Sequence, residues 1–401
     1  MSRIHYITYQ NFPAETGNSL QSISNIIEMV RMGNDVTLTF PNRAKDSTKE
    51  ISVLQEYYNF SENFKVNRVS HPLPFGKFNF LLKFSFHMSH FLWSLGVIVL
   101  GTNWKNADYF ITRSDWIFYF LSKRKQTVIF ECHGESKLRQ LLLKKSLKNP
   151  SSKVVFLTKS LQNFYEVDGN NEKQSVVLGS GYREDLFNKN VKKIKNQVVF
   201  VGNLLRFGTS RDIEFIIETF ADERLKNYNL KIVGGPSKYV STLKSKVAEL
   251  GSKNIEFTGR LNQNKTAEML LSSEIGILTN SSDNINSIKH TSPLKYFEYL
   301  ASGLKIVAVN FESHKLLPFG ENIVFFESLN KESFIFSILS TKERNVPPPS
   351  NYRIYSYRNR VEKILNLARL EGLEPPTLLS EVRCSIQLSH RRMKKLIYTI
   401  F

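Results

Sequence analysis

Two cysteines in 401 residues, Cys132 and Cys384, are too few and too far apart for a disulfide framework or a metal knuckle. That scarcity fits a reducing cytoplasm. No unbroken apolar stretch opens the chain, which begins MSRIHYITYQNF, so no secretory leader is expected. Long apolar runs are also missing. The strongest, FLWSLGVIVLG (91–101), has about half the length that a bilayer-spanning helix needs, and it reads as a buried helix. Repeats of short period are absent, which excludes solenoids and propellers. Acidic residues are in deficit, 36 Asp and Glu against 55 Lys and Arg, for a formal net charge of +19. Residues 1–190 hold 24 Lys and Arg against 16 Asp and Glu, so the excess is not one basic tail. Nucleic acid or an anionic lipid surface are the partners that such a charge suggests. No zinc spacing, basic helix or RNA-binding aromatic motif accompanies it, so nucleic acid is not the expected partner.

What is present is a globular composition, 41% hydrophobic and 23% charged, on a chain long enough for two separate cores. RIHYITY (3–9) reads as a strand, QNFPAETGNS (10–19) as a polar loop and LQSISNIIEMVRMG (20–33) as an amphipathic helix; DVTLTF (35–40) is the next strand. This β-α-β logic continues through ADYFITR (107–113), QTVIFECHG (126–134), SKVVFLT (152–158) and QSVVLGSG (174–181). It restarts at NQVVFVGN (196–203) and runs through NLKIVGG (229–235), NIEFTGR (254–260), EIGILTN (274–280) and KIVAVN (305–310). The reading is an α/β protein of two tandem doubly wound domains, 1–190 and 191–340, with a ligand cleft between the carboxyl ends of both sheets. TKERNVPPPSNY (341–352) is a linker, because consecutive prolines cannot continue a helix. RIYSYRNRVEKILNLA (353–368) is a last amphipathic helix, and 341–369 forms a unit of linker and helix. Residues 370–401 are expected to be a non-native tail. Gly372–Pro375 and Cys384–Ser389 in EGLEPPTLLSEVRCSIQLSHRR resemble the antisense translation of two arms of a tRNA gene, which implies a frame read through into a neighbouring gene.

HTSPLKYFEYLASG (290–303) concentrates the candidate chemistry. Ser292 suits an N-cap and Pro293 the first helical position, so the free N–H groups of a helix starting at Ser292 face the cleft and favour a phosphate. Lys295 in the first turn is unfavourable for the helix alone, and reasonable if an anion binds there. Glu298 follows on the cleft side if Leu294, Phe297 and Leu300 pack inward, and one carboxylate can accept both hydroxyls of a ribose. On spacing alone, a solvated Lys–Glu pair on a capped helix competes with that reading.

SPLKYFEYLASGLKIVAVN resembles the donor-binding segment of the family-4 retaining glycosyltransferases, which have the GT-B fold. Further segments resemble that family in order over about residues 3–366: NFPAETGNS, FECHG, VVLGSGYREDLF, VVFVGN, LKIVGG, IEFTGRL and GENIVFF. The resemblance implies that Glu298 holds the ribose of a nucleotide sugar, and that Ser292, Pro293 and Leu294 with Lys295 meet the diphosphate and sugar. It implies that Gly17 and Gly202 let backbone approach the ligand, with Gly234 and Arg260 beside them, and that His133 approaches the donor sugar. Relatives place Arg after the Gly202 position, where this chain has Asn203. Counting back from Phe220 puts the family's lysine position at Arg211, with Arg206 its rival for the diphosphate. The family's second glutamate corresponds to His290; Asp283 or the Thr291 backbone are the candidate replacements. No Asp-x-Asp metal motif is visible.

The resemblance therefore implies a retaining, metal-independent hexosyltransferase without a cofactor, the nucleotide sugar being a substrate. Its acceptor is expected to be a surface polysaccharide or a lipid-linked glycan. The expected location is the cytoplasm, at the inner face of the cell membrane. There the apolar and aromatic stretch FGKFNFLLKFSFHMSHFLWSLG (75–96) meets anionic lipid, unless it is simply a packed helix pair. The alternatives are a GT-B nucleotide-sugar epimerase and a basic nucleic-acid-binding protein.

Overall fold

Strands buried on both faces of a parallel sheet are apolar throughout rather than alternating, and the central strands here follow that rule. In the computed structural model, which describes residues 1–71, 82–100, 106–166, 173–206, 208–282, 284–343 and 351–369, they build two sheets. Of the sequence readings, the tail after Arg369, Asp283, the linker prolines, part of the 75–96 stretch and the Arg206 side chain lie outside the described residues.

The first sheet contains β1 (Arg3–Ile7), β2 (Asp35–Asn42), β3 (Lys65–Ser70), β4 (Tyr109–Thr112), β5 (Val128–Cys132), β6 (Ser152–Phe156) and β7 (Ser175–Val177). Its order is β3-β2-β1-β4-β5-β6-β7, and every pairing is parallel. The second sheet starts at β8 (Gln197–Val201). A short hairpin, β9 (Leu205–Arg206) and β10 (Thr209–Ser210), follows. The sheet continues with β11 (Asn229–Val233), β12 (Ile255–Gly259), β13 (Ile275–Leu278), β14 (Lys305–Val309) and β15 (Ile323–Phe326). The order β12-β11-β8-β13-β14-β15, again parallel, is the doubly wound pattern in which ligands sit beyond the carboxyl ends at the point where the order reverses. In the second sheet that point lies between β8 and β13.

Each sheet is covered on both faces. Ile4, Tyr6 and Leu38 pack under the helix Gly17–Arg31, while Ile7, Phe110 and Phe130 pack under Leu82–Leu100 and Asp115–Lys123. The final helix, Tyr357–Arg369, returns from the second domain and lays Val361, Ile364 and Leu365 into the core of the first. FLWSLGVIVLG is helical as expected, inside Leu82–Leu100. Only one side is buried, through Trp93, Val97 and Ile98, whereas Leu95 and Val99 face outward. Among the described residues no helix is long and apolar enough to cross a membrane.

Candidate active site

The helix Leu294–Ala301 is fixed to the sheet at the reversal point by one side chain. Tyr299 is fully buried; its hydroxyl donates to the Ile277 carbonyl on β13 (3.1 Å) and accepts the Val201 amide of β8 (3.3 Å). Residue 276 must be glycine for this ring to lie flat on the strand, because a Cβ there would stand 2.6 Å from a Tyr299 ring carbon. The helix is thereby held with its amino end at the cleft. Phe297 and Leu300 are buried as expected.

The start of that helix differs from the sequence reading. Pro293, not Ser292, is the N-cap, and no side chain caps the first turn. The Ser292 hydroxyl accepts the Ser180 amide instead (3.0 Å), and the Ser180 hydroxyl donates to the Ser292 carbonyl (2.6 Å). Ser180 arrives from the end of the first domain, so the serine joins the domains and leaves the helix N–H groups open.

Lys295 and Glu298 project from the first turns. The Lys295 ammonium is buried, lies 4.2 Å over the Phe200 ring and has no hydrogen-bond partner. Burial drives its pKa well below the usual lysine value; the nearby Arg211 adds to this, and Glu298 opposes it. Burial raises the Glu298 carboxyl to about 7, against the pull of Lys295. An unsatisfied buried ammonium is costly unless a ligand completes it.

Three glycines make the floor. A Cβ on Gly202 would stand 3.1 Å from the Lys295 ammonium and 3.9 Å from an Arg211 guanidinium nitrogen, so Gly202, Lys295 and Arg211 converge. A Cβ on Gly234 would lie 1.9 Å from the Gly202 carbonyl oxygen, which only glycine avoids. Gly17 opens the helix Gly17–Arg31 of the first domain, and a Cβ there would reach within 3.2 Å of Leu294. Arg260 stands just past β12 and is drawn across the gap: its guanidinium pairs with Glu15 (2.6 Å) and donates to Asn203 (3.1 Å). Asn203, where the resembled family has arginine, in turn donates to the Glu15 carbonyl (3.2 Å). The loop before Gly17 is therefore clamped to the second domain.

On the first domain's side, His133 follows β5 into a cavity of about 940 Å³. Burial and the guanidinium groups of Arg113, Arg360 and Arg139 push its pKa well below the usual histidine value, so its imidazole is neutral near pH 7. Beneath it Glu131 is fully buried. It accepts from Tyr6 (2.6 Å), Asn25 (3.1 Å) and Arg360 (2.8 Å). Tyr357 and Arg360, both on the returning helix, keep buried polar atoms without partners, the Tyr357 hydroxyl and one Arg360 nitrogen. The Tyr357 hydroxyl lies within the electrostatic reach of Glu298, Arg360 and Arg113, which ties this cluster to Glu298. Sequence reasoning missed these groups. The signal for Glu131 was a lone acid inside the apolar strand FEC; Arg360, 229 residues away, gave none.

His290, in the place of a family glutamate, is buried. One ring nitrogen meets Ser160 (2.9 Å) and the other the Glu135 carboxylate (2.9 Å), both on the first domain. Glu135 itself lines the cavity. Among the described residues no group of three or more His, Cys, Asp or Glu side chains is placed to hold a metal ion.

Residues 195–341 match the profile of the family described as glycosyl transferases group 1. The second domain is thus similar to the group 1 glycosyl transferases, and the two parallel sheets together have the GT-B fold. Three solved structures show the same architecture. A sucrose-phosphate synthase from Thermosynechococcus elongatus is 11% identical, with a TM-score of 0.62, covering 99% of this chain and 100% of its own. HepE of Anabaena, solved with UDP and glucose, is 12% identical, with a TM-score of 0.59 and coverage of 91% and 100%. WaaB, a lipopolysaccharide outer core galactosyltransferase in its apo form, is 12% identical, with a TM-score of 0.58 and coverage of 91% and 98%. No curated protein matches the sequence. Lys295, Glu298, Arg211 and Gly202 lie inside the matched segment, and His133, Arg113 and Glu135 outside it.

Proposed function

We propose that this protein is a glycosyltransferase that moves a sugar, with retention of anomeric configuration, from a nucleotide-sugar donor to a glycan or lipid-linked acceptor of a surface polysaccharide. The observation that carries the donor site is the buried, unpartnered Lys295 ammonium beside Arg211 at the open amino end of Leu294–Ala301. Two cations and helix N–H groups aimed at one point suit a departing diphosphate. Glu298, three residues on, accepts the ribose hydroxyls. In the transfer the bond between the anomeric carbon and the diphosphate oxygen breaks, and the acceptor oxygen bonds to that carbon. The acceptor's proton leaves with the diphosphate. Lys295 and Arg211 compensate the new charge in this reading, and the donor is a substrate rather than a cofactor. HepE, a neighbour of the same fold solved with UDP and glucose, supports a nucleotide-sugar donor.

The same reading places the enzyme at the inner face of an anionic membrane. Met88, Leu95 and Val99 on Leu82–Leu100 are exposed, as is Leu141 on Lys137–Ser146, and Lys144 and Lys145 follow on that helix. Across residues 115–148 the three acids, Asp115, Glu131 and Glu135, are engaged by Arg139, Arg360 and His290. The remaining lysines there attract anionic headgroups without internal competition. Sedimentation with vesicles containing phosphatidylglycerol should capture the protein, and neutral vesicles should not; equal behaviour contradicts the membrane contact. The transfer itself is tested by proton NMR of a nucleotide-sugar panel. Release of nucleoside diphosphate with a product of unchanged anomeric configuration supports the reading, and an inverted product overturns it.

A further inference from the structure

The cavity of about 940 Å³ lies mostly in the first domain and, apart from His133, is lined by residues that the donor site does not use. Its charges do not balance. Three acids line it. Asp115 is paired with Arg139 (3.4 Å), Glu135 with His290 (2.9 Å) and Glu131 with Arg360 (2.8 Å). The cations Arg43, Arg113 and Lys137 also line it, and among the described residues none of them has a carboxylate within ion-pair distance. Arg113 spends its guanidinium on neutral acceptors, the Asn18 carbonyl (2.8 Å) and the Asn18 side chain (2.9 Å).

Arg43 is a cation held firmly by its neighbours in the cavity wall. It lies at the end of β2, partly buried, with its guanidinium 4.5 Å over the Tyr9 ring. Its Nε donates to the Asn11 side chain (3.0 Å), and the guanidinium also hydrogen-bonds the Tyr9 hydroxyl. The Tyr9 ring is held in turn. It stacks on His90 at 4.3 Å, and its hydroxyl meets His71 (2.6 Å) and Ser89 (2.9 Å). Burial lowers the pKa of Arg43; the neighbouring Tyr9 hydroxyl is what opposes this, and no carboxylate does. A preorganised guanidinium on an aromatic platform, short of an anion, is a bidentate site for a phosphate or a carboxylate.

We infer that the first-domain cavity takes an anionic group of the acceptor, a phosphate ester or a carboxylate, and that Arg43 binds it. The acceptor of this glycosyltransferase is then a charged sugar or sugar phosphate and not a neutral glycan. This rests on the reading above that the donor occupies the second domain.

Titration calorimetry of the full chain with glucose 6-phosphate, glucuronate and methyl glucoside tests it, in the wild type, Arg43→Gln, Arg43→Lys and Arg211→Ala. At least one of the two anionic probes should bind the wild type, and the stronger of them identifies phosphate or carboxylate. Arg43→Gln should weaken that probe at least tenfold, Arg43→Lys should keep most of the affinity, and Arg211→Ala should change it less than twofold. Methyl glucoside should bind at least tenfold more weakly than the anion. The inference is overturned if neither anion binds, if the neutral sugar binds as well, or if the loss follows Arg211 instead of Arg43. A loss as large in Arg43→Lys as in Arg43→Gln also overturns it, because packing on Tyr9 would then be responsible. UDP binding indifferent to Glu298→Ala would sink the donor reading and leave these anion titrations to be judged by themselves.

Discussion

Replacing Glu298 by glutamine should stabilise the fold and weaken the donor, and the two effects should depend on pH differently. In the ligand-free protein burial raises this carboxyl from 4.5 to about 7. A carboxyl raised on folding contributes its stability fully below its unfolded value, and that contribution is lost as pH rises through the folded value. Glutamine has no charge to bury and escapes the loss. The interval from 4.5 to about 7 converts, at about 1.4 kcal/mol per pH unit, to an upper limit of about 3 kcal/mol. Partial solvent access at this position trims that to about 1–3 kcal/mol. Urea denaturation followed by tryptophan fluorescence should therefore show Glu298→Gln more stable than wild type by that amount at pH 8.5 and nearly equal to it at pH 5. The same variant should bind the nucleotide sugar about 10- to 100-fold more weakly at pH 8.5, the loss expected for charge-assisted hydrogen bonds to a ribose. Wild-type affinity should fall by up to about tenfold per pH unit below 7, since the ribose prefers the ionised carboxylate. A variant less stable than wild type at pH 8.5 would refute the burial argument. Unaltered nucleotide affinity would refute the ribose role.

Other consequences follow from the same contacts. Arg211→Ala should lower turnover more than Arg206→Ala, because Arg211 stands beside Lys295; steady-state rates with a saturating acceptor decide between them. Gly234→Ala should abolish donor binding and destabilise the second domain by more than about 1 kcal/mol, since the added Cβ collides with the Gly202 carbonyl; circular dichroism melts and calorimetry read both effects. Arg360→Ala should cost about 3–5 kcal/mol by stranding the buried Glu131 charge, and Glu131→Gln in the same chain should recover part of that loss in urea titrations.

Most of the architecture was legible because parallel strands in a covered sheet are apolar runs, and VVF, KIV and IGIL could be little else. The hairpin Leu205–Ser210 was not, since two-residue strands carry no periodicity. The Ser292 cap was misread for a related reason. Local rules rank the hydroxyl as a helix cap, and an amide from Ser180, 112 residues away, outcompetes the helix for it. Lys295 and Glu298 stood out because a lysine in the first turn and an acid on a burying helix both conflict with local preference, and such conflicts mark sites. The resemblance carried their roles, and also the proposal for Gly202. Arg43, Arg113 and Arg360 raised no such conflict. Each occurs in an ordinary polar context, and only the fold brings Arg43 and Arg113 to one cavity and Arg360 to Glu131 in its wall.

Binding of the donor at Lys295 and Glu298 is the claim on which the rest depends, and calorimetric titration of nucleoside diphosphates and their sugars into wild type, Lys295→Ala and Glu298→Ala measures it most directly. At least one nucleotide should bind the wild type with one-to-one stoichiometry, and each substitution should weaken it by about tenfold or more. A nucleotide that binds all three proteins alike, or a wild type that binds none, would contradict the account.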